Sequence, residues 1–271
     1  MERYNLAVYT TIIGSYDHLK HPMYFETIRS QADFFCFTDQ SVSSDVFTIV
    51  PLKSQWGSPT RNSRHPKINT HLYLANYKYS IYLDANLLLV AQDLHRLIDE
   101  HLSSADIARF PHHRRNCLYD EAIACIAQNL DREDVIRNQV TRYKQDGFPR
   151  HFGLGANSLI IRRHTRAVEQ FNSVWWSEYS QGSQRDQLSF EYARWKLDLN
   201  VSEIPYFWAN NAICIRFDHN HQFDERKHWE LQAVGAQTPL SLIVRFKALL
   251  KYFAPPFLVD LFRVVRNRCS Q

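Results

Sequence analysis

The sequence predicts an α/β protein built on a largely parallel, doubly wound sheet, and three observations carry the prediction. Apolar runs at Leu6 to Ile13, Phe34 to Thr38 and Tyr79 to Leu83 read as short strands buried on both faces. The chain between them is long enough for crossover helices. Polar or acidic residues stand directly after the strands, where an open α/β sheet binds its ligands.

Taken in order, the first strand ends near Thr10 and Thr11 and the second ends at Asp39. A crossover helix is predicted over Lys67 to Lys78. The third strand continues past Asp84-Ala85-Asn86 into Leu87 to Val90, and Asp93 to His101 reads as the following helix. Residues 106 to 150 read as polar and loop-rich, with helices from Tyr119 to Asn129 and from Arg132 to Gln145, the latter closed by Gly147 and Pro149. Leu159 to Ile161 supplies a strand, Arg166 to Glu178 and Gln184 to Trp195 two helices, and Val201 to Pro205 a last strand.

At 271 residues and 45% hydrophobic content the chain can bury one large core, so residues 1–236 are predicted as one domain. The 32 Lys and Arg face 28 Asp and Glu, a balance that argues against a nucleic-acid binder. Five scattered cysteines without a Cys-x-x-Cys pair argue against a disulfide framework and against a thiolate zinc site. The start runs straight into a strand pattern, with no signal-peptide signature and no apolar run of membrane-spanning length, so a cytoplasmic location is expected.

Two strand ends draw attention, Asp39 and Asp84-Ala85-Asn86. An Asp-x-Asn pair projects two hard oxygen ligands toward one point, which suits Mg²⁺ or Mn²⁺ holding diphosphate oxygens; the same residues are also ordinary turn formers. Arg61, Arg64 and Lys67 stand near Pro59 and Pro66, spaced so that they converge on an anion if the chain wraps around it, or else form a solvated charged face. Gly153-Leu-Gly-Ala-Asn157 precedes a strand and reads as a close backbone approach or a tight turn. Asp186 opens a helix, where an acidic residue is often a capping device.

In these segments the sequence resembles the glycogenin-like retaining glycosyltransferases. It is still more similar to a related family known from plant Golgi proteins of the turgor-regulation and mucilage type, with bacterial members. The closer resemblance rests on Tyr9-Thr10 through Gly14-Ser-Tyr-Asp17, Phe37-Thr-Asp39, Arg61 to Lys67, Asp84-Ala-Asn86 and Arg185-Asp-Gln-Leu-Ser-Phe190, and spans about residues 5 to 230. It implies a single-domain fold of the glycosyltransferase A type, a nucleotide-sugar donor that is most simply a UDP-sugar, transfer with retention, and a divalent metal. Asn86 departs from the second Asp of the commoner metal motif.

The resemblance also implies roles. Asp84, Asn86 and His221 would hold Mn²⁺ or Mg²⁺, with His219 as the competing histidine. Lys227 would contact the diphosphate, and Thr10, Thr11, Asp39, Arg61, Arg64 and Lys67 would line the donor pocket. Asn157, Asp186 and Gln187 would face the reacting sugar. Arg114, Tyr119 and Glu121, near Arg109 and His112, would shape a sugar or acceptor pocket, although structural ion pairing fits the same residue types.

Residues 237–271 form a basic tail. Leu242, Ile243, Phe246, Leu249, Leu250 and Phe253 share a helical face flanked by Arg245 and Lys247, as in an interfacial membrane helix or a helix packed on the domain. A glycan or lipid-linked acceptor in surface polysaccharide synthesis, met at the cytoplasmic membrane face, follows as an expectation. Two other classes share these features: a metal-dependent phosphatase or nucleotidyltransferase, and an inactive membrane-docked module that binds nucleotide-sugars.

Overall fold

The structure, a computed structural model, describes residues 5–219. The basic tail, His221 and Lys227 lie outside the described residues. The elements run β1 (Leu6–Ile12), α1 (Phe25–Ile28), β2 (Asp33–Thr38), β3 (Thr48–Pro51), α2 (Pro59–Ile68), α3 (Thr70–Tyr73), β4 (Tyr79–Leu83), β5 (Leu87–Leu89), α4 (Leu94–His101), β6 (Ile107–Pro111), α5 (Leu118–Ala127), α6 (Glu133–Gln145), β7 (Gly155–Arg163), α7 (Arg166–Gln181), α8 (Asp186–Lys196), β8 (Val201–Glu203) and β9 (Cys214–Arg216).

Seven strands form one sheet in the order β3-β2-β1-β4-β7-β6-β8. The β3, β2, β1 and β4 strands are mutually parallel, and β8 runs parallel to β6. The long β7 is antiparallel to both β4 and β6, a reversal that the predicted parallel sheet did not contain. Side chains of β1 alternate between two cores. Leu6 and Val8 join the cluster with Leu94 and Ile98 of α4, whereas Ala7 and Tyr9 join Phe171, Trp175 and Phe190 of α7 and α8. Burial on both faces explains why these strands read as continuous apolar runs.

Three differences from the predicted elements have local causes. The crossover helix starts at Pro59 rather than Lys67, because Ser58 Oγ accepts from the Arg61 amide and Pro59 fills the first turn. Arg61, Arg64 and Lys67 therefore sit within the helix. The Leu87–Leu89 run leaves the main sheet and pairs with β9 (Leu87↔Arg216, Leu89↔Cys214). The β6 strand lies in the segment read as loop, because buried Arg109 interrupts its apolar run.

Candidate active site

The reversal of β7 places its first residues at the sheet end where β1, β2 and β4 finish. Leu83 pairs with Leu159, and the Asp84 amide donates to Ser158 O at 2.7 Å, so Asn157 stands beside the turn that carries Asp84 and Asn86. In a parallel orientation Asn157 would have been carried to the opposite end. The turn itself is closed by the Leu87 amide donating to Asp84 O at 2.8 Å.

Asp186 is the hub of the polar cluster. It stands at the first position of α8, whose N-cap, Arg185, makes no side-chain capping bond. Its carboxylate instead reaches Lys67 Nζ at 2.8 Å and Arg64 Nε at 3.3 Å, and Asn157 Nδ2 lies 3.4 Å from Oδ1. Burial alone would raise the Asp186 carboxyl, but the Lys67 and Arg64 cations outweigh it and hold the group at about 2. The same carboxylates, Asp186 before Asp84, outweigh desolvation at Arg64 and keep its guanidinium firmly protonated.

Lys67 is 1% exposed and joins two carboxylates, with Asp84 Oδ1 at 3.2 Å on its other side. Its Nζ also lies 4.9 Å from the centre of the Tyr82 ring, and Tyr82 donates its hydroxyl to Asp84 Oδ1 at 2.7 Å. Two acids and two bases thus neutralise one another, the arrangement a buried ammonium requires. The sequence reading did not include Tyr82. Strand alternation was the available signal, because residues two apart share a face and Tyr82 precedes Asp84 by two.

A second layer fixes Asn157. Arg109 Nη1 donates to Asn157 Oδ1 at 2.6 Å, its other arm pairs with Glu191, and its guanidinium lies 3.6 Å over the Phe190 ring. The Gly155 amide donates to the same Glu191 carboxylate at 2.9 Å, and a Cβ on Gly155 would overlap the Arg109 side chain. A side chain there would have to displace the guanidinium.

Other predicted site residues fall elsewhere. Arg61 donates to the carbonyls of Ser180 and Gly182, so it closes the end of α7 and does not join the cluster. Gln187 accepts from Arg185 Nη2 at 3.0 Å. Asp39 accepts the Gly14 amide at 2.8 Å and ties the loop after β1 to the end of β2, while the buried Thr10 and Thr11 hydroxyls have no hydrogen-bond partner among the described residues. Glu121 pairs with Arg115 at 2.5 Å rather than with Arg114, and Tyr119 donates to Phe148 O at 2.7 Å.

The residues present fit a divalent cation. Lys67 and Tyr82 both engage Asp84 Oδ1, and no described hydrogen bond reaches Oδ2. Asn86 donates through Nδ2 to Phe217 O at 3.4 Å, which leaves its amide oxygen as the donor for a cation. Pairing of β5 with β9 and the Phe217 amide bond to Asn86 O bring the chain after β9 to this turn. Two residues on, His219 Nδ1 lies 2.9 Å from buried Asp17 Oδ2 and its ring packs on Tyr16. Nothing local in the sequence signalled the Asp17–His219 pair, because its members come from opposite ends of the domain.

Carboxylates, cations and a carboxamide gathered beyond the strand ends mark an α/β ligand-binding domain. The chain belongs to the TOD1/MUCI70 glycosyltransferase-like family, whose domain matches residues 46–219. It is 23% identical over 218 residues to the probable hexosyltransferase MUCI70 of Arabidopsis thaliana, covering 71% of this chain and 37% of that protein. It is 24% identical over 269 residues to the alkaline ceramidase TOD1 of the same plant, covering 86% and 57%. The chain thus spans between about a third and somewhat over half of these relatives' lengths. Among solved structures it is similar to the bifunctional glycosyltransferase WbbM in its apo form (TM-score 0.43, 9% identity, 76% of this chain and 39% of that one). It is also similar to A197 from STIV (TM-score 0.38, 6% identity, 79% and 86%).

Proposed function

We propose that this domain transfers a hexosyl group from a nucleoside diphosphate sugar, a UDP-sugar in the simplest case, to a hydroxyl of a glycan or lipid-linked acceptor. The observation that carries the reading is the meeting of Asp186, Lys67, Arg64, Asp84 and Asn157 at one end of the sheet. Family membership supports the transferase class.

In this reading Asp84 and Asn86 hold a divalent cation, with His219 or His221 as a further ligand. When bound, the cation balances charge on the leaving diphosphate. Lys67 and Arg64 bind phosphate oxygens, exchanging part of their pairing with carboxylates for pairing with the ligand. Asp186, held ionised, stabilises positive charge developing at the anomeric carbon, and Asn157 orients it. The anomeric carbon's bond to the diphosphate oxygen breaks, a bond to the acceptor hydroxyl oxygen forms, and the acceptor proton leaves with the diphosphate. Retention of configuration is part of this proposal. So is a peripheral place on the cytoplasmic face of a membrane; among the described residues no helix is long and apolar enough to cross one.

The test is incubation of the full chain with UDP-, GDP- and CDP-sugars and Mn²⁺, followed by proton NMR of the anomeric region. Release of one nucleoside diphosphate with a new glycosidic signal, abolished in Asp186→Asn, is expected. Absence of turnover with all donors, or unchanged turnover in Asp186→Asn, contradicts the reading. The ceramidase activity named for one relative supplies a control, because ceramide hydrolysis without any sugar transfer would replace the transferase reading.

A further inference from the structure

A second cluster of ligating side chains lies away from the Asp84 turn, at the start of α5. Cys117, Asp120 and His151 each bring one ligand atom, and these atoms lie within 4.8 Å of one another. We propose that they form a zinc site with three protein ligands. The site does not depend on the transferase reading.

Cys117 occupies the N-cap position of α5 in an extended conformation, is fully buried, and its thiol takes part in no described hydrogen bond. Asp120 follows three residues later and so shares its helical face. One Asp120 oxygen takes Arg150 Nη2 at 2.9 Å, which leaves the second for a cation. His151 comes from the loop after α6, where its φ of 56° is the left-handed value a non-glycine residue rarely adopts.

That loop is pinned by Asn116. The Gly153 amide donates to Asn116 O at 3.1 Å, and His151 Nδ1 lies 2.8 Å from Asn116 Oδ1. A neutral imidazole ligates a metal through one ring nitrogen while the other donates to a carbonyl-type oxygen, and Asn116 Oδ1 is such an acceptor. A thiol ligates a metal as the thiolate, so binding would release its proton to solvent.

One thiolate, one imidazole and one carboxylate suit Zn²⁺, and three protein ligands leave a position for water. The oxygen-rich Asp84–Asn86 turn suits the harder Mn²⁺ or Mg²⁺ instead. The absence of a Cys-x-x-Cys pair argued against a thiolate zinc site, an expectation this proposal departs from. The fold assembles a mixed one from a single cysteine, because His151 enters from a separate loop.

The experiment is titration of the metal-free full chain with Co²⁺, followed by displacement with Zn²⁺. A thiolate-to-metal charge-transfer band is expected on Co²⁺ addition, and Zn²⁺ should remove the band. Cys117→Ser should lack the band. His151→Ala, which removes an exposed side chain, should weaken Co²⁺ binding about tenfold or more, with an unchanged circular dichroism spectrum as the check on folding. Asp84→Ala should keep the band, which separates this site from the one proposed for transfer. Absence of the band, its persistence in Cys117→Ser, unchanged affinity in His151→Ala, or its loss in Asp84→Ala would each overturn the proposal.

Discussion

Lys67 Nζ lies 2.8 Å from Asp186 Oδ2 and 3.2 Å from Asp84 Oδ1, so one buried ammonium joins the start of α8 to the end of β4. Removing it should leave the Asp84 and Asp186 carboxylates with Arg64 as their remaining cation. Lys67→Met is expected to cost roughly 3–5 kcal/mol, measured by urea unfolding, since deleting one partner of a buried ion pair strands the other. A cost near zero would mean that the pairs are solvent-screened.

The acid limb of stability should have two parts. His164, half-buried with Nε2 2.8 Å from Ser80 Oγ, is held down to about 4, first by desolvation and then by the Arg162 charge. A histidine whose pKa is depressed in the folded state adds stability above its unfolded value, near 6.5, and loses it as pH falls toward 4. Asp186, held at about 2, adds stability above the unfolded carboxyl value near 4 and loses it between roughly pH 4 and 2. Urea midpoints measured from pH 7 to 2 should fall in both windows. His164→Gln should reduce the fall in the upper window, to which His65 and His113, also held down to about 4 by burial, contribute as well, and Asp186→Asn should reduce the fall in the lower one.

Gly155→Ala should push the Arg109 guanidinium away from Asn157 and Glu191. Overpacking of this kind costs roughly 1–3 kcal/mol, and under the proposed mechanism turnover should fall more than donor affinity because Asn157 loses its support. Thermal melting and steady-state kinetics report the two effects separately. Unchanged turnover with lowered stability would assign Asn157 a purely structural role.

Ser58→Ala removes the cap of α2, the helix that carries Arg64 and Lys67. A loss of about 1 kcal/mol is expected from the missing capping bond, readable as a lower urea midpoint with an unchanged slope. No change at all would mean that helix entry is set by Pro59 alone.

Much of the fold was legible because its central strands are covered on both faces. Leu6 to Ile12, Asp33 to Thr38 and Tyr79 to Leu83 are such strands, and their apolar runs announce them. The edge strand Thr48–Pro51 is half exposed and ends in proline, and β6 carries Arg109, so neither gives that signal. Of the candidate site, Asp84, Lys67, Arg64, Asn157 and Asp186 were legible and meet in space. Arg61 shares the charge of its neighbours, yet it lies one turn before Arg64 on α2 and reaches the end of α7 instead. Composition does not distinguish a cation that stitches backbone carbonyls from one that awaits a ligand; place along the helix axis does.

The most direct test of the central claim is calorimetric titration of the full chain with UDP, GDP and CDP, each with and without Mn²⁺, beside the Asp84→Ala variant. Manganese-dependent binding of one nucleotide, lost in Asp84→Ala, is the predicted result. Binding of no nucleotide under any condition, or binding indifferent to both Mn²⁺ and Asp84, would contradict a metal-assisted nucleotide-sugar site at the end of β4.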